Sequence, residues 1–271
     1  MTEDVFDRFY ALLEKKTGIS LNASKQYLVE ARLADMCKAS GCPSVPEFLQ
    51  VLVSTAVGEL HWKAFDALTT NETMFFRDRP FFDALAGDIF PRIIEKKREE
   101  RTLRILCSAV STGQEAYSVA ILLRQHFPEL SNWNVFIQAT DLSVRALDRA
   151  RAGVYTQTEV ERGMEPALIA KYFQRMVDGR FQIIPAIRDA VTFIPTNLVE
   201  PAGSFPKFDI IFLRNVLIYF SAQTKLQVLE KMHRQLSPDT GVLALGSTES
   251  ILSSSHFKVQ HYGKISCYQP V

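Results

Sequence analysis

The sequence predicts an α/β domain built on a largely parallel sheet and preceded by an all-α N-terminal domain. Up to about residue 76, apolar residues recur every three or four positions, which is helical spacing, and no strand-like alternation interrupts them. After residue 100, apolar runs alternate with amphipathic helical segments, as in a parallel sheet covered by helices on both faces. Residues 258–268 have the pattern of a hairpin and therefore predict an antiparallel edge.

In the first half, the sequence predicts four helices. Asn22 is placed to cap the second helix, over residues 23–40, and Gly41 ends it. Two shorter helices are expected over residues 43–53 and 58–68. The first helix ends near Gly18, and its apolar face is formed by Phe6, Phe9, Tyr10 and Leu13.

The second half begins after a predicted linker helix over residues 79–104, whose charged stretch 95–101 is typical of a solvated helix end. Between residues 155 and 191 the α/β alternation is broken around the Asp178-Gly179 turn, which predicts a two- or three-stranded insertion. Strands are expected over 104–110, 135–139, 191–194, 208–213 and 241–245, and helices over 117–126, 143–150 and 224–236.

Composition excludes several classes of protein. The 31 Lys and Arg residues against 30 Asp and Glu give a net charge of +1, which argues against a protein built to bind nucleic acid. Hydrophobic residues make up 47% of the chain, enough for a buried core. The acidic N-terminus is unlike a signal peptide, and no apolar run approaches the ~20 residues of a membrane span, so we expect a cytoplasmic protein without membrane insertion.

No metal site is expected either. The four cysteines lie at no paired metal spacing, and the five histidines are scattered without ligand spacing. They are Cys37, Cys42, Cys107 and Cys267, and His61, His126, His233, His256 and His261.

Five loops follow the predicted strands, at the edge where open parallel sheets bind ligands. In the first loop, 111–115, Gly113 lets a ligand approach the backbone and Glu115 is suited to a hydroxyl or an ammonium group, although an ordinary turn with a capping glutamate explains it equally well. Asp141, in the second loop, suits two ribose hydroxyls and is equally compatible with a helix N-cap.

The other three loops differ in how distinctive they are. Residues 196–198 suit an adenine edge, and residues 233–246 combine a helix, a Pro/Gly turn and a returning strand. The fourth loop stands out, because Arg214, Asn215 and the phenol of Tyr219 follow directly after a strongly apolar strand. The alternative for Tyr219 is a core aromatic with its hydroxyl at the rim.

Five short motifs then occur in order along the chain: LTTNETMFFR (68–77), STGQEAYS (111–118), ATD (139–141), NL (197–198) and RNVLIYF (214–220). This ordered set resembles the chemotaxis receptor glutamate methyltransferases, the CheR family, over nearly the whole chain. The resemblance implies a helical domain over 1–76, a linker helix over 77–103 and a Rossmann-like methyltransferase domain over 104–271. A small antiparallel β-subdomain is then inserted at about 155–191.

The resemblance also implies a cofactor, S-adenosyl-L-methionine, and its product S-adenosyl-L-homocysteine. Arg77 and Tyr219 are expected nearest the transferred methyl group, with Arg77 positioning the acceptor carboxylate in a planar two-point contact. The cofactor-binding residues implied by the motifs are Asn71, Thr73, Arg77, Glu115, Asp141, Asn197, Leu198, Arg214 and Asn215.

The implied function is the methylation of glutamate side chains in chemoreceptor cytoplasmic domains, as part of chemotaxis adaptation, by a monomeric enzyme. Residues 1–76 hold seven basic and ten acidic residues, so substrate docking falls to a local stripe of Lys25, Arg32 and Lys38. The stretch 175–180 holds one glycine, which predicts no strong tether to a receptor-tail pentapeptide. The alternatives are a signalling module that binds the cofactor without catalysis, and a methyltransferase for another acceptor.

Overall fold

The computed structural model describes residues 2–201, 206–251 and 256–271, and the chain divides into two compact units. The first unit comprises Met1–Thr70, Asn197–Pro201 and Leu217–Val228. The second unit comprises Asn71–Thr196, Ala202–Val216 and Leu229–Val271. The domain boundaries expected after residues 76 and 103 stay a prediction.

The N-terminal part of the first unit is entirely helical, as predicted. Its helices are α1 (Thr2–Thr17), α2 (Gln26–Ala39), α3 (Val45–Ser54) and α4 (Glu59–Leu68). A 3-10 turn over Ala23–Lys25 precedes α2, and the Asn22 side chain caps that turn by accepting a hydrogen bond from the Ser24 backbone N–H at 3.1 Å. The apolar faces of the helices form one core that includes Phe9, Leu13, Leu33, Phe48 and Phe65, all fully buried.

The linker helix is shorter than the sequence predicts. It consists of α5 (Arg79–Ala84), a π-helical turn over Leu85–Ile89 and α6 (Phe90–Lys96), and the charged stretch beyond Lys96 forms turns. Arg101 has a left-handed φ of 48°, which is incompatible with a continuing helix, and the first strand begins directly after it, at Thr102. The predicted helix was too long because the charged stretch consists of good helix formers and contains no Gly or Pro to stop it.

The rest of the chain alternates strands and helices. In chain order the elements are β1 (Thr102–Ser108), α7 (Gln114–His126), β2 (Asn134–Asp141), α8 (Val144–Ala152), β3 (Val154–Tyr155), α9 (Gln157–Glu161), α10 (Pro166–Tyr172), β4 (Phe173–Arg175), β5 (Phe181–Ile183), α11 (Pro185–Arg188), β6 (Val191–Pro195), β7 (Ile210–Leu213), α12 (Ala222–Gln235), β8 (Val242–Leu245), β9 (Phe257–Tyr262) and β10 (Ile265–Pro270).

The main sheet has the strand order β6-β2-β1-β7-β8-β10-β9. The first five strands in this order are parallel, whereas β10 is antiparallel to both β8 and β9, which confirms the predicted antiparallel edge. The insertion forms a second, antiparallel sheet with the order β3-β5-β4. The strand order of the main sheet changes direction between β1 and β7: from β1 it continues to β2 and β6 on one side, and to β7 and β8 on the other. In open α/β sheets, ligands bind at such a switch point, beyond the carboxyl ends of the strands.

Two absences can be stated for the part of the chain that the structure describes. None of its helices has both the length and the apolar character needed to cross a bilayer. Likewise, among residues 2–201, 206–251 and 256–271, no group of three or more His, Cys, Asp or Glu side chains is arranged to hold a metal ion.

Candidate functional site

Backbone strain in the second unit is concentrated in the loops around the carboxyl ends of β1 and β7. A left-handed backbone is uncommon outside glycine and costs free energy, so it persists only where surrounding contacts enforce it. Six described non-glycine residues have a positive φ, and apart from Arg101 they are Phe76, Asp78, Ala109, Ser111 and Asn215. Such a concentration of strained residues is typical of a functional site.

The segment 71–78 is held in the second unit by backbone hydrogen bonds. The Ser111 hydroxyl donates to the Asn71 carbonyl at 2.9 Å, which joins the segment to the loop after β1. The Phe76 N–H donates to the hydroxyl of Ser118 on α7 at 2.9 Å. Phe75 is fully buried, and its ring packs edge-on against other aromatic rings of the same unit. The segment 71–78 is therefore anchored next to the loop after β1.

Arg214 is the centre of this site, and only 1% of its side chain is exposed. One guanidinium nitrogen, Nη1, donates to the Glu115 carboxylate at 2.9 Å, and the other, Nη2, donates to the Arg77 carbonyl at 3.1 Å and lies 3.4 Å from the Asp78 carboxylate. The guanidinium stacks over the Phe81 ring, 4.3 Å from its centroid. Arg214 therefore links the loop after β7 to α7 and to the segment 71–78.

Glu115 lies in the first turn of α7, after Gly113. Burial raises the pKa of its carboxyl, and nearby Glu249 adds to this effect, while the positive charges of Arg214 and Arg77 lower it in part. Gly113 has a left-handed φ of 93°, and a Cβ there would lie 2.8 Å from Cβ of Ala150, so only glycine suits this turn. Glu115 therefore pairs with Arg214 and is more than an ordinary capping glutamate.

Asp141 ends β2 and connects two loops through its carboxylate. One oxygen accepts a hydrogen bond from the Ser111 N–H at 2.7 Å, and the other accepts from the Ser143 N–H at 2.8 Å. The N-cap of α8 is Ser143, whose hydroxyl accepts from the Ala146 N–H at 3.0 Å, so the alternative of Asp141 as the N-cap is wrong. Asp141 therefore joins the loop after β1 to the start of α8.

The sequence analysis missed Glu249, which organises the loops after β7 and β8. One of its carboxylate oxygens accepts from the Asn215 N–H at 2.6 Å and from the Gly246 N–H at 2.8 Å. A Cβ on Gly246 would lie 2.7 Å from that oxygen and 2.6 Å from Nδ2 of Asn215, so a larger residue there would displace these two side chains. The available signal was a carboxylate three positions after Gly246, the glycine that directly follows β8 and ends the fifth loop marked from the sequence.

Three of the predicted cofactor and catalytic residues lie in the first unit: Asn197, Leu198 and Tyr219. Asn197 is buried, its side-chain N–H donates to the Lys16 carbonyl at 2.6 Å, and its side-chain oxygen accepts from the Val199 N–H at 3.2 Å. Tyr219 ends a 3-10 turn over Leu217–Tyr219, and its carbonyl accepts from the Ser20 N–H at 2.8 Å. The amide of Asn197 thus shapes its own loop.

Comparison with known proteins decides the family. The family model described as "CheR methyltransferase, SAM binding domain" matches residues 71–265, and the one described as "CheR methyltransferase, all-alpha domain" matches residues 4–69. The chain belongs to the CheR methyltransferase family. It is an enzyme that uses S-adenosylmethionine, and the all-α N-terminal domain and Rossmann-like methyltransferase domain predicted from the sequence are confirmed.

Three curated proteins are similar to this CheR-family chain over almost its whole length. A chemotaxis protein methyltransferase 1 of Pseudomonas aeruginosa is 39% identical over 267 residues, covering 97% of this chain and 94% of the relative. The chemotaxis protein methyltransferase Cher2 of Pseudomonas putida is 38% identical with the same coverage. A chemotaxis protein methyltransferase of Vibrio parahaemolyticus is 39% identical over 93% of this chain and 90% of the relative.

The residues of this CheR-family site suit S-adenosylmethionine, a ligand with a positively charged sulfur and an ammonium group. Buried carboxylates end or follow adjacent parallel strands, with Asp141 at the end of β2 and Glu115 after β1. Between them lies the strained loop 111–113, in which Gly113 packs so closely against Ala150 that no Cβ fits. Acidic side chains next to a glycine turn match the hydroxyl and ammonium groups of this cofactor.

The structure brings part of the predicted site together within each unit. The second unit contains seven of the predicted cofactor residues, and contacts on Arg214, Ser111 and Asp141 connect most of them. These seven are Asn71, Thr73, Arg77, Glu115, Asp141, Arg214 and Asn215. The assignment of each residue to the cofactor stays a prediction.

The predicted docking stripe, which runs from the 3-10 turn before α2 along α2 itself, is not uniform. Lys25 and Lys38 are exposed, whereas Arg32 is half-buried and donates from Nη1 to the carbonyls of Leu68 and Thr69, at 2.7 and 2.9 Å. These carbonyls lie at the C-terminus of α4, where backbone acceptors have no partner within the helix. Arg32 therefore caps α4, and the docking hypothesis is carried by Lys25 and Lys38.

The raised pKa of Glu115 predicts a pH dependence of cofactor binding. Because the carboxyl takes up its proton at a higher pH than an ordinary glutamate, the ionised form is lost early on acidification. We expect the affinity for S-adenosylmethionine, measured by calorimetry, to fall as the pH is lowered through this raised pKa. Glu115→Gln should flatten that fall. An identical pH profile in the variant would show that Glu115 does not control it.

Proposed function

We propose that this chain transfers the methyl group of S-adenosylmethionine to glutamate side chains in the cytoplasmic domains of chemoreceptors, giving glutamyl methyl esters. The observation that carries the proposal is the similarity, over 97% of the chain, to relatives named chemotaxis protein methyltransferase. The strained, Arg214-centred site supports it, because it belongs to the part of the chain that matches the methyltransferase domain.

The acceptor explains why no general base is needed. A glutamate side chain, with an ordinary pKa of ~4.3, is already ionised at neutral pH and is able to attack without losing a proton. S-adenosylmethionine, when bound, supplies a methyl carbon activated by a positively charged sulfur. The protein must orient the carboxylate in line with that carbon and remove water from it, effects that reach ~7–11 kcal/mol for well-oriented reactants.

Arg77 and Tyr219 are the residues to which we assign the acceptor carboxylate. The Arg77 guanidinium is only partly buried and donates to the Glu72 carbonyl at 3.3 Å, so it has further N–H groups to offer. The Tyr219 hydroxyl donates one hydrogen bond without removing the negative charge from the nucleophile. A tight ion pair would stabilise the ground state and slow the transfer, so both groups act by positioning.

We assign each cofactor-binding residue a role that fits its chemistry and the contacts of its loop. Asp141 accepts hydrogen bonds from the ribose hydroxyls, and Glu115 binds the ammonium or a hydroxyl group. The loop of Asn197 and Leu198 borders the adenine, where the buried amide of Asn197 fixes the loop. Arg214 acts on the cofactor through its contacts with Glu115 and the segment 71–78. The remaining residues assigned to cofactor binding are Asn71, Thr73, Arg77 and Asn215.

A methyl-ester assay tests the reaction. The chain is incubated with S-adenosylmethionine labelled in the methyl group and with chemoreceptor cytoplasmic domains, and the pH of the isolated protein is then raised. We expect volatile labelled methanol, because carboxyl methyl esters hydrolyse in base. Label that stays on the receptor through the base treatment would identify a different acceptor, and no transfer at all would leave a signalling module that binds the cofactor without catalysis.

Three further properties belong to the proposal. The chain acts in the cytoplasm, where the acceptor domains lie, and its four cysteines are free thiols. It acts as a monomer, which light scattering on the eluting protein measures. It has no strong tether to a receptor tail, since the β4–β5 turn is short and closed by the Asp178–Arg180 ion pair, and micromolar binding of a tail pentapeptide in calorimetry would contradict this.

A further inference from the structure

The turn between α1 and α2, residues 16–20, contacts the two loops of the first unit that carry predicted site residues. On one side, the Ser20 N–H donates to the Tyr219 carbonyl at 2.8 Å, and Ile19 forms an isolated antiparallel bridge with Phe220. These contacts fix the backbone immediately before and after the Tyr219 carbonyl. The turn therefore holds the main chain from which the Tyr219 side chain projects.

On its other side the same turn contacts the loop of Asn197. The Lys16 carbonyl lies in the last turn of α1, where carbonyls have no partner within the helix, and it accepts from the Asn197 side-chain N–H at 2.6 Å. The Asn197 side-chain oxygen in turn accepts from the Val199 N–H at 3.2 Å. The C-terminus of α1 thereby fixes the orientation of the Asn197 side-chain amide, which in turn holds the backbone of this loop.

Gly18 lies at the middle of the turn and makes the close approach possible. Its φ is 79°, it is buried, and a Cβ there would lie 2.6 Å from Cγ1 of Val199, 3.0 Å from Cγ2 of Thr224 and 3.2 Å from the Phe220 ring. Contacts below 3.0 Å force a shift of the neighbouring atoms. Any side chain at this position would push the Asn197 loop and the Tyr219 segment away from the turn.

We propose that the turn of residues 16–20 is a positioning element for methyl transfer, which sets the Asn197 loop for cofactor binding and Tyr219 for the acceptor carboxylate. The inference rests on the proposed function for the roles of Asn197 and Tyr219. Its consequence is that a turn of the all-α domain, remote in sequence from both loops, controls cofactor affinity and turnover together.

Gly41 offers a matched control for Gly18. It also follows a helix in the first unit, with a similar φ of 71°, but nothing lies within 4 Å of the position of its Cβ. Alanine at either position places a side chain in a left-handed backbone, so both variants carry the same kind of backbone strain. Only Gly18→Ala adds a clash, because its Cβ would contact Val199, Thr224 and Phe220.

The experiment compares Gly18→Ala, Gly41→Ala and the wild type in three measurements: melting temperature, the Kd for S-adenosylmethionine, and kcat for methyl-ester formation. We expect both variants to melt lower than the wild type. For Gly18→Ala alone we expect a weaker Kd and a kcat lowered by up to about 10²-fold, since small misplacements of reacting groups have effects of that size. Gly41→Ala should keep wild-type Kd and kcat.

Two further variants separate positioning from general damage. Val199→Ala removes the methyl group nearest to the Cβ position, so Gly18→Ala/Val199→Ala should recover Kd relative to Gly18→Ala. Ser20→Pro removes the donor to the Tyr219 carbonyl and restricts the backbone of the turn next to Tyr219, so it should lower kcat while leaving the Kd unchanged. This variant keeps the proposal testable if Gly18→Ala does not fold.

If Gly18→Ala and Ser20→Pro melt lower but keep wild-type Kd and kcat, the turn is merely structural and the inference is overturned. The proposed function then stands, because the wild type still forms methyl esters. If the wild type forms no methyl ester, the proposed function fails, while the Kd comparison between Gly18→Ala and Gly41→Ala still reports whether the turn sets the cofactor loop.

Discussion

Arg77→Ala is expected to lower kcat for methyl-ester formation by about 10²–10³-fold while barely changing the melting temperature. Misplacing a reacting group by about 1 Å costs ~10²-fold, and loss of a single active-site hydrogen-bond donor costs ~10²–10³-fold. The Arg77 side chain is only partly buried and donates to the Glu72 carbonyl at 3.3 Å, so its removal disturbs little packing. Activity and stability should therefore separate in this variant.

Arg162 provides the matched control for this prediction. Its guanidinium also contacts Glu72, at 3.0 Å from the carboxylate, and 55% of its side chain is exposed. Arg162→Ala should keep wild-type kcat, because an exposed ion pair contributes only ~0–1 kcal/mol and this one has no role in the reaction. Arg77→Lys retains the charge but not the planar two-point contact, so we expect only partial activity. Normal methyl transfer by Arg77→Ala would remove Arg77 from the chemistry.

Arg214→Met should be the most destabilising single substitution in the site, lowering the free energy of unfolding by about 3–5 kcal/mol and abolishing measurable cofactor binding. The reason is that Arg214 has 1% of its side chain exposed and pairs with both Glu115 and Asp78. Methionine keeps much of the apolar contact with Phe81 but leaves the Glu115 carboxylate without its nearest positive partner. Urea unfolding and calorimetric titration with S-adenosylmethionine measure the two effects.

Two comparisons test the cause. In Arg214→Met/Glu115→Gln the unpaired carboxylate is gone, so the double variant should regain part of the lost stability but no cofactor affinity. Arg234→Met removes an arginine whose ion pair with Glu230, at 2.8 Å, is exposed, and it should unfold close to the wild type. If Arg214→Met were as stable as Arg234→Met, the buried pair would not hold the site together.

The fold was predictable from the sequence where the spacing of apolar residues along one segment specified a helix or a strand. The spacing of Phe6, Phe9, Tyr10 and Leu13 predicted α1, and all four side chains are buried. The strongly apolar stretch before Arg214 predicted β7, which is buried at every position. The prediction failed where the local signal was misleading: residues 97–101 favour a helix by composition, but the left-handed Arg101 turns the chain into β1.

The site was predicted less completely, because its contacts join residues far apart in the chain. Because ligands bind at the carboxyl ends of parallel strands, the sequence predicted that the loops of Glu115, Asp141 and Arg214 belong to the site. In the structure, Glu115 and Arg214, which are 99 positions apart in the chain, form an ion pair. The sequence did not reveal Glu249, whose two backbone contacts depend on the turn after β8. Nor did it show that Arg32 caps α4, since helical periodicity says only that its side chain lies on one face.

The sequence by itself determined the two-part organisation, the alternation of the main strands and helices, the family and the identity of the motif residues, because periodicity and motifs are properties of neighbouring positions. Only the tertiary structure decided what those residues do to one another. It buried Arg214 against Glu115 and Asp78, raised the pKa of the Glu115 carboxyl, and placed Gly18 where no side chain fits against Val199. These outcomes depend on distances between segments separated along the chain, and burial then sets the strength of each charge interaction.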